Sequence, residues 1–179
     1  MDIVSHAAWG SVLLHRLPAH LVAAGALAGA APDLLFFIPS RIEQVIEHGW
    51  EGALLGREPG IWRADGPPLP PDLVEAYFRY YIWTHSLLLL GVAVGVGWLA
   101  LGRHRIWLWL ALPYALHILM DIPTHERYRT QPFHPLSDWQ FPGLSWADPR
   151  IFWPHLAVIA AMSVWAYRRR RAMPSHERT

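Results

Sequence analysis

The sequence predicts an all-α integral membrane protein, a bundle of four to five transmembrane helices with irregular extracytoplasmic loops. Three observations predict it. Charged residues make up 16% of the chain and hydrophobic ones 53%, whereas a soluble domain averages about 25% charged. The missing charge is concentrated in four stretches, residues 21–38, 81–102, 106–122 and 151–167, each near the ~17–25 residues that cross a hydrocarbon core. Eleven tryptophans are present, and Trp83, Trp98, Trp107, Trp153 and Trp165 fall near the ends of those stretches, where an interfacial belt places them.

The N-terminal stretch, residues 3–17, is apolar but short, and Pro18 ends it. It reads as a short fifth helix ending at a turn that carries Arg16. Arginines set the orientation. Arg16, the pair Arg103 and Arg105, and the run 168–171 all sit at links or ends on one side, and the positive-inside rule places that side in the cytoplasm. The lipid bilayer of the cell inner (plasma) membrane is the expected partner, crossed several times, with the C-terminus cytoplasmic. Residues 1–171 then form one membrane domain, with loops 39–80 and 123–150 on the extracytoplasmic side. Residues 172–179 form a short polar cytoplasmic tail. Within loop 39–80, two helical pieces are expected, 40–48 and 71–81, the first opened by a Ser40/Glu43 capping box. Residues 131–150, rich in Pro and Trp, read as a loop folded back over the bundle end. His134 there reads as a surface residue.

A net charge of +1 with no basic face argues against nucleic acid. The absence of Cys removes disulfides, thiolate nucleophiles and Cys-ligated metals. Oligomeric state is not encoded in any readable pattern.

Under this topology the ionisable residues inside the apolar stretches, His6, Asp33, His85, His117, Asp121 and His155, all fall in the outer half of their helices. An ionised Asp at that depth costs several kcal/mol and faces the bundle interior with a partner. A hydrogen-bonded network, a proton relay and a metal site all satisfy the set. The strongest local motif is His117-Ile-Leu-Met-Asp121, whose spacing puts both side chains on one helix face. His125 follows four residues later, just beyond a helix disturbed by Pro123. Ala31-Pro32-Asp33 places an acid where Pro32 loosens a helix, and Thr84-His85-Ser86 opens the next one. A mixed His/Asp donor set suits Zn²⁺, with Mn²⁺ or Fe²⁺ as alternatives. His15, His20, His104 and His176 lie at the opposite end or in the tail.

The order of these pieces, Ser5-His6, Gly29-Ala30-Ala31-Pro32-Asp33, Thr84-His85-Ser86 and His117-x3-Asp121-x2-Thr124-His125, resembles the inner-membrane-associated metal-dependent hydrolase family, the LexA-binding hydrolases. That family is similar in turn to zinc-dependent phospholipase C. The resemblance implies metal ligands at His6, Asp33, His85, His117 and Asp121, with His125 as an addition. Two positions depart from it: Leu35 stands where a second acid is common, and Tyr81-Ile82-Trp83 replaces a His-Arg-Gly lead-in. No residue speaks for LexA binding. The expected function is a membrane-embedded metal-dependent hydrolase acting on a phosphoester or other ester of a lipid or lipid-linked substrate, with Asp33 as a further ligand or the general base. The alternative is a non-catalytic ion-binding or transport protein using the same His/Asp cluster. A haem-binding bundle would leave both Asp residues without a role.

Overall fold

The computed structural model describes residues 2–55, 68, 70–102, 104 and 106–174. Arg103, Arg105, most of the Pro-rich part of loop 39–80 and the end of the tail, His176 included, lie outside the described residues. Among the described residues the chain is all-helical.

Helix α1 (Ile3–Leu13) is capped by Asp2, whose carboxylate accepts from Ser5 N at 2.9 Å. A turn at residues 14–18 reverses the chain into α2 (Ala19–Leu55). Gly25 and Gly29, four residues apart on α2, let the two backbones touch. A Cβ on Gly29 would lie 2.5 Å from the carbonyl oxygen of His6, and one on Gly10 would collide with the Gly25 carbonyl. Small residues at this spacing are the usual route to close helix packing in membranes.

Helix α2 runs past Pro32 and Pro39, and is interrupted only at Gly49, where φ is 68°. The expected start of a new helix at Ser40 is therefore corrected. Ser40 is buried inside α2, and its hydroxyl donates back to the Phe37 carbonyl at 3.1 Å rather than capping an N-terminus. Glu43 is not part of a capping box. It accepts the Tyr80 hydroxyl at 2.6 Å and the Arg79 guanidinium at 2.8 Å. Those contacts tie this end of α2 to the next segment and favour continued helix.

That segment begins with α3 (Pro71–Ala76), passes through a π-helical turn at Tyr77–Tyr81 and ends in α4 (Ile82–Thr84). The chain then bends by 46° into α5 (Leu87–Leu101). Ser86 forms the new N-cap, accepting from Leu89 N at 3.2 Å. Helix α6 (Ile106–Thr124) returns antiparallel, and α7 (Pro149–Ala172) follows after an extended loop. Residues 131–146 do fold back over the bundle end. Leu144 N and Trp146 N reach the last carbonyls of α6, on Pro123 and Thr124, at 2.9 and 3.0 Å.

Two helices are long and apolar enough to cross a membrane, Ala19–Trp50 and Ile106–Thr124, and a third span results if Pro71–Thr84 and Leu87–Ala100 are counted together. Helix α1 is shorter, and the apolar part of α7 is broken by Pro154, His155 and Ser163 before its arginines. The arginine-bearing ends meet as expected: Arg170 donates to the carbonyls of His15 and Leu17 at the α1–α2 turn. The aromatic core lies at the other end, where Phe36, Tyr77, Tyr81 and Tyr128 pack together with Leu73.

Candidate metal centre

Three helices bring polar side chains to one level. Asp33 is 14 residues into α2 and Asp121 is 15 residues into α6. At 1.5 Å per residue that is about 21–23 Å from the arginine-bearing end. His85 precedes α5, whose 15 residues span a similar length. The shared depth predicted from the sequence is thus a packed cluster. His6, Asp33, His85, His117 and Asp121 are all buried, and His85 and Asp121 are completely so.

The two central imidazoles are each fixed by a backbone carbonyl. His117 Nδ1 lies 2.6 Å from the Gly29 oxygen. His85 Nδ1 lies 3.1 Å from the Tyr81 oxygen, and the adjacent Thr84 hydroxyl donates to the Tyr80 carbonyl. A carbonyl only accepts, so each Nδ1 donates its N–H outward and the Nε2 atoms of both rings point into the cluster.

Those two Nε2 atoms face each other at 3.1 Å. Asp121 Oδ2 lies 3.1 Å from His117 Nε2 and 3.5 Å from His85 Nε2. Asp33 Oδ1 lies 3.7 and 3.8 Å from His85 and His117 Nε2 respectively. Nitrogen and oxygen atoms gathered this tightly need a proton or a metal cation among them. Asp33, His85, His117 and Asp121 can hold a metal ion, their donor atoms all lying within 4.8 Å of one another. A tetrahedral ion with ~2.0–2.1 Å bonds needs donors about 3.3 Å apart, close to the middle of the separations found.

His6 and His125 come to the same carboxylate from outside this group of four. His6 Nε2 is 3.0 Å from Asp121 Oδ1 and its ring stacks on His117 with centroids 3.5 Å apart. His125 Nδ1 is 3.4 Å from Asp121 Oδ1. It sits just beyond α6, where burial pushes its imidazole down to about 3 and keeps it neutral at physiological pH. His155 lies apart, accepting the Trp9 indole N–H at 3.2 Å. His134 is not a plain surface residue: both ring nitrogens are buried without a hydrogen-bond partner, and Trp83 packs edge-on at 4.7 Å.

Sequence reasoning missed Tyr81 as a wall of the site. Its ring stacks on His85 at 3.8 Å, and its hydroxyl meets Thr130 Oγ1 at 3.0 Å. The only signal was its position four residues before His85. A cavity of about 400 Å³ opens beside the cluster, lined by Asp33, Tyr81 and His125 and by Ile3, Phe36, Arg41 and Trp146 among others. Asp33 Oδ2 is buried without a hydrogen-bond partner.

Fold and site together define an all-helical protein with two to three candidate membrane spans and a buried His/Asp group able to hold a metal ion. Comparison with protein-family models, with curated proteins and with solved structures returns no match for this chain.

Proposed function

We propose that this protein is a membrane-embedded metal-dependent hydrolase acting on a phosphoester or other ester of a lipid or lipid-linked substrate. The observation that carries the reading is the pair of Nε2 atoms 3.1 Å apart, on rings oriented by backbone carbonyls and flanked by two carboxylates. Zn²⁺ suits such a donor set best, with Mn²⁺ or Fe²⁺ as alternatives. A bound divalent ion supplies Lewis acidity and a water that ionises near neutral pH. The chain's own residues do the rest. His85, His117 and Asp121 would hold the ion, with Asp33 beside them. Asp33 has one oxygen near the donors and lines the cavity, so its carboxylate would serve as a further ligand or as the general base. Tyr81 and the aromatic core limit water on the His85 face.

The resemblance to the inner-membrane-associated hydrolases points the same way. In this reading α1 and α7 complete a bundle of four to five membrane-depth helices in the inner membrane, with the arginine-bearing end cytoplasmic. The transport alternative needs access from both sides.

The test is turnover of chromogenic phosphodiesters and carboxylic esters by detergent-purified protein. It is run with zinc, after chelation, and with His117→Ala/Asp121→Ala. The proposal expects turnover that requires metal and disappears in the variant. Stoichiometric metal with no turnover of either ester class would reject the enzyme and favour the ion-binding protein.

A further inference from the structure

We propose that the turn at residues 132–136 is a lipid wedge, seated below the outer surface of the membrane with Phe133 and Leu136 in the acyl-chain region of the leaflet and Trp139 at its headgroups. The proposal goes beyond the hydrolase reading and rests on the membrane spans alone.

Depth comes from what the turn holds on to. Leu88 N, one of the amides left open at the start of α5, donates to the Pro132 carbonyl at 3.2 Å. The Ser86 hydroxyl donates to the His134 carbonyl at 2.7 Å. The turn therefore caps α5. That helix has 15 residues, about 22 Å of length, and Arg103 follows it in the sequence. Tilt only shortens its reach. A hydrocarbon core of about 30 Å, entered at the far end of α5, leaves about 8 Å of hydrocarbon above Ser86. The same depth follows from the candidate span formed by Pro71–Thr84 and Leu87–Ala100, whose bend falls at residues 85–86, inside the span and not at its edge.

Irregular backbone at that depth needs partners for its polar groups within the protein, and the turn supplies them. The amides of His134, Leu136 and Ser137 donate to the carbonyls of Gln131 and Phe133, and Pro132 and Pro135 have no N–H to satisfy. The side chains are sorted the opposite way from those of a loop in water. His134 turns inward: both ring nitrogens are shielded from solvent, and Trp83 packs on the ring edge-on. Leu136 is 80% exposed and Phe133 50% exposed. Asp138 is the one acid or arginine from 131 to 147. It is exposed beside Trp139 and marks the return to the headgroups, where Trp is favoured. Below the turn, α5 exposes Val92, Val96 and Leu99, which share one face by their spacing. In a spanning helix such a face meets acyl chains, and the turn stands directly on that helix.

The chain has no Cys, so single cysteines can carry the fluorophore NBD in full-length protein reconstituted into phosphatidylcholine/phosphatidylglycerol vesicles. The turn is labelled through Phe133→Cys and Leu136→Cys. Val96→Cys is the lipid reference, and Glu47→Cys, exposed near the far end of α2, is the water reference. The wedge expects both turn labels to show blue-shifted emission, loss of iodide quenching relative to Glu47→Cys, and quenching by brominated lipid. Bromines near the headgroup should quench more than bromines near the chain end, and iodide quenching should return at Asp138→Cys. Leu136, the more exposed position, carries the test if Phe133→Cys folds poorly. Iodide quenching at Leu136→Cys equal to that at Glu47→Cys overturns the wedge. Shielding from both iodide and brominated lipid places protein over the turn, a second copy of the chain included, and overturns the lipid occupant. A Val96→Cys label open to iodide removes the span that sets the depth, and the wedge with it.

Discussion

Replacing Asp121 by Ala removes the group on which the whole cluster converges. Its Oδ2 lies 3.1 and 3.5 Å from the Nε2 atoms of His117 and His85, while Oδ1 lies 3.0 and 3.4 Å from His6 and His125. The variant therefore loses one of four donors and the anchor for two further imidazoles. His6→Phe is the graded comparison, because it keeps ring stacking on His117 and deletes only a contact to Oδ1. Loss of such an outer partner typically costs 10–100-fold in metal affinity, roughly 1.4–2.7 kcal/mol. Loss of the donor itself should exceed the upper end of that range. The assay is metal content of detergent-purified protein by inductively coupled plasma mass spectrometry after dialysis against buffered zinc across a concentration series. Wild type should fill one site, His6→Phe should fill it at 10–100-fold higher zinc, and Asp121→Ala should stay empty throughout. Stoichiometric zinc in Asp121→Ala at wild-type concentrations would refute the assignment of the centre.

Three further outcomes follow from the packing. Gly29→Val inserts a side chain where a Cβ already lies 2.5 Å from the His6 carbonyl, so it should cost about 1–3 kcal/mol by overpacking, read as a lower thermal midpoint in detergent. Tyr81→Phe keeps the stack on His85 but deprives Thr130 of its partner. It should cost about 1 kcal/mol with metal content unchanged, whereas a changed metal content would mean the hydroxyl belongs to the centre. At the start of α7, the hydrogen-bonded Arg150 guanidinium holds the Asp148 carboxyl at about 2, below the ordinary 3.8 of an aspartate. A depressed carboxylate stabilises above its unfolded value and is lost as pH falls through the folded one. The α7 cap should therefore persist on acidification to about pH 3 and fray toward pH 2. Arg150→Gln should raise the midpoint toward 3.8, as followed by NMR titration of Asp148.

The parts of the site legible in the sequence are those governed by one helix or by depth alone. His117 and Asp121 share a face because four residues make about one turn, and Asp33 stands out because an acid in an apolar helix needs partners. Fold class was legible for the same reason, since long uncharged runs leave few alternatives to helix. Ser40 misled because Pro39-Ser40 with Glu43 carries every local mark of a helix start. Its outcome was decided instead by tertiary contacts of Glu43 with Arg79 and Tyr80. Tyr81 was invisible as a site residue because its aim depends on a π-helical turn and a 46° bend, neither of which has a residue signature here. The grouping of His6 and His125 on one carboxylate oxygen depends on α1 packing against α2 and α6, which pattern reading places only to the nearest turn.

The anchoring of His85 and His117 by main-chain oxygens has an electronic consequence. Where a ring passes its Nδ1 proton toward a carboxylate, the imidazole gains anionic character and becomes a stronger donor. Here the acceptors are the neutral carbonyls of Tyr81 and Gly29, so the rings donate less density to an ion between them. An ion held there would keep more of its positive charge than one bound by rings paired to carboxylates, and that contribution of the two imidazoles would be set by the backbone rather than by a replaceable side chain.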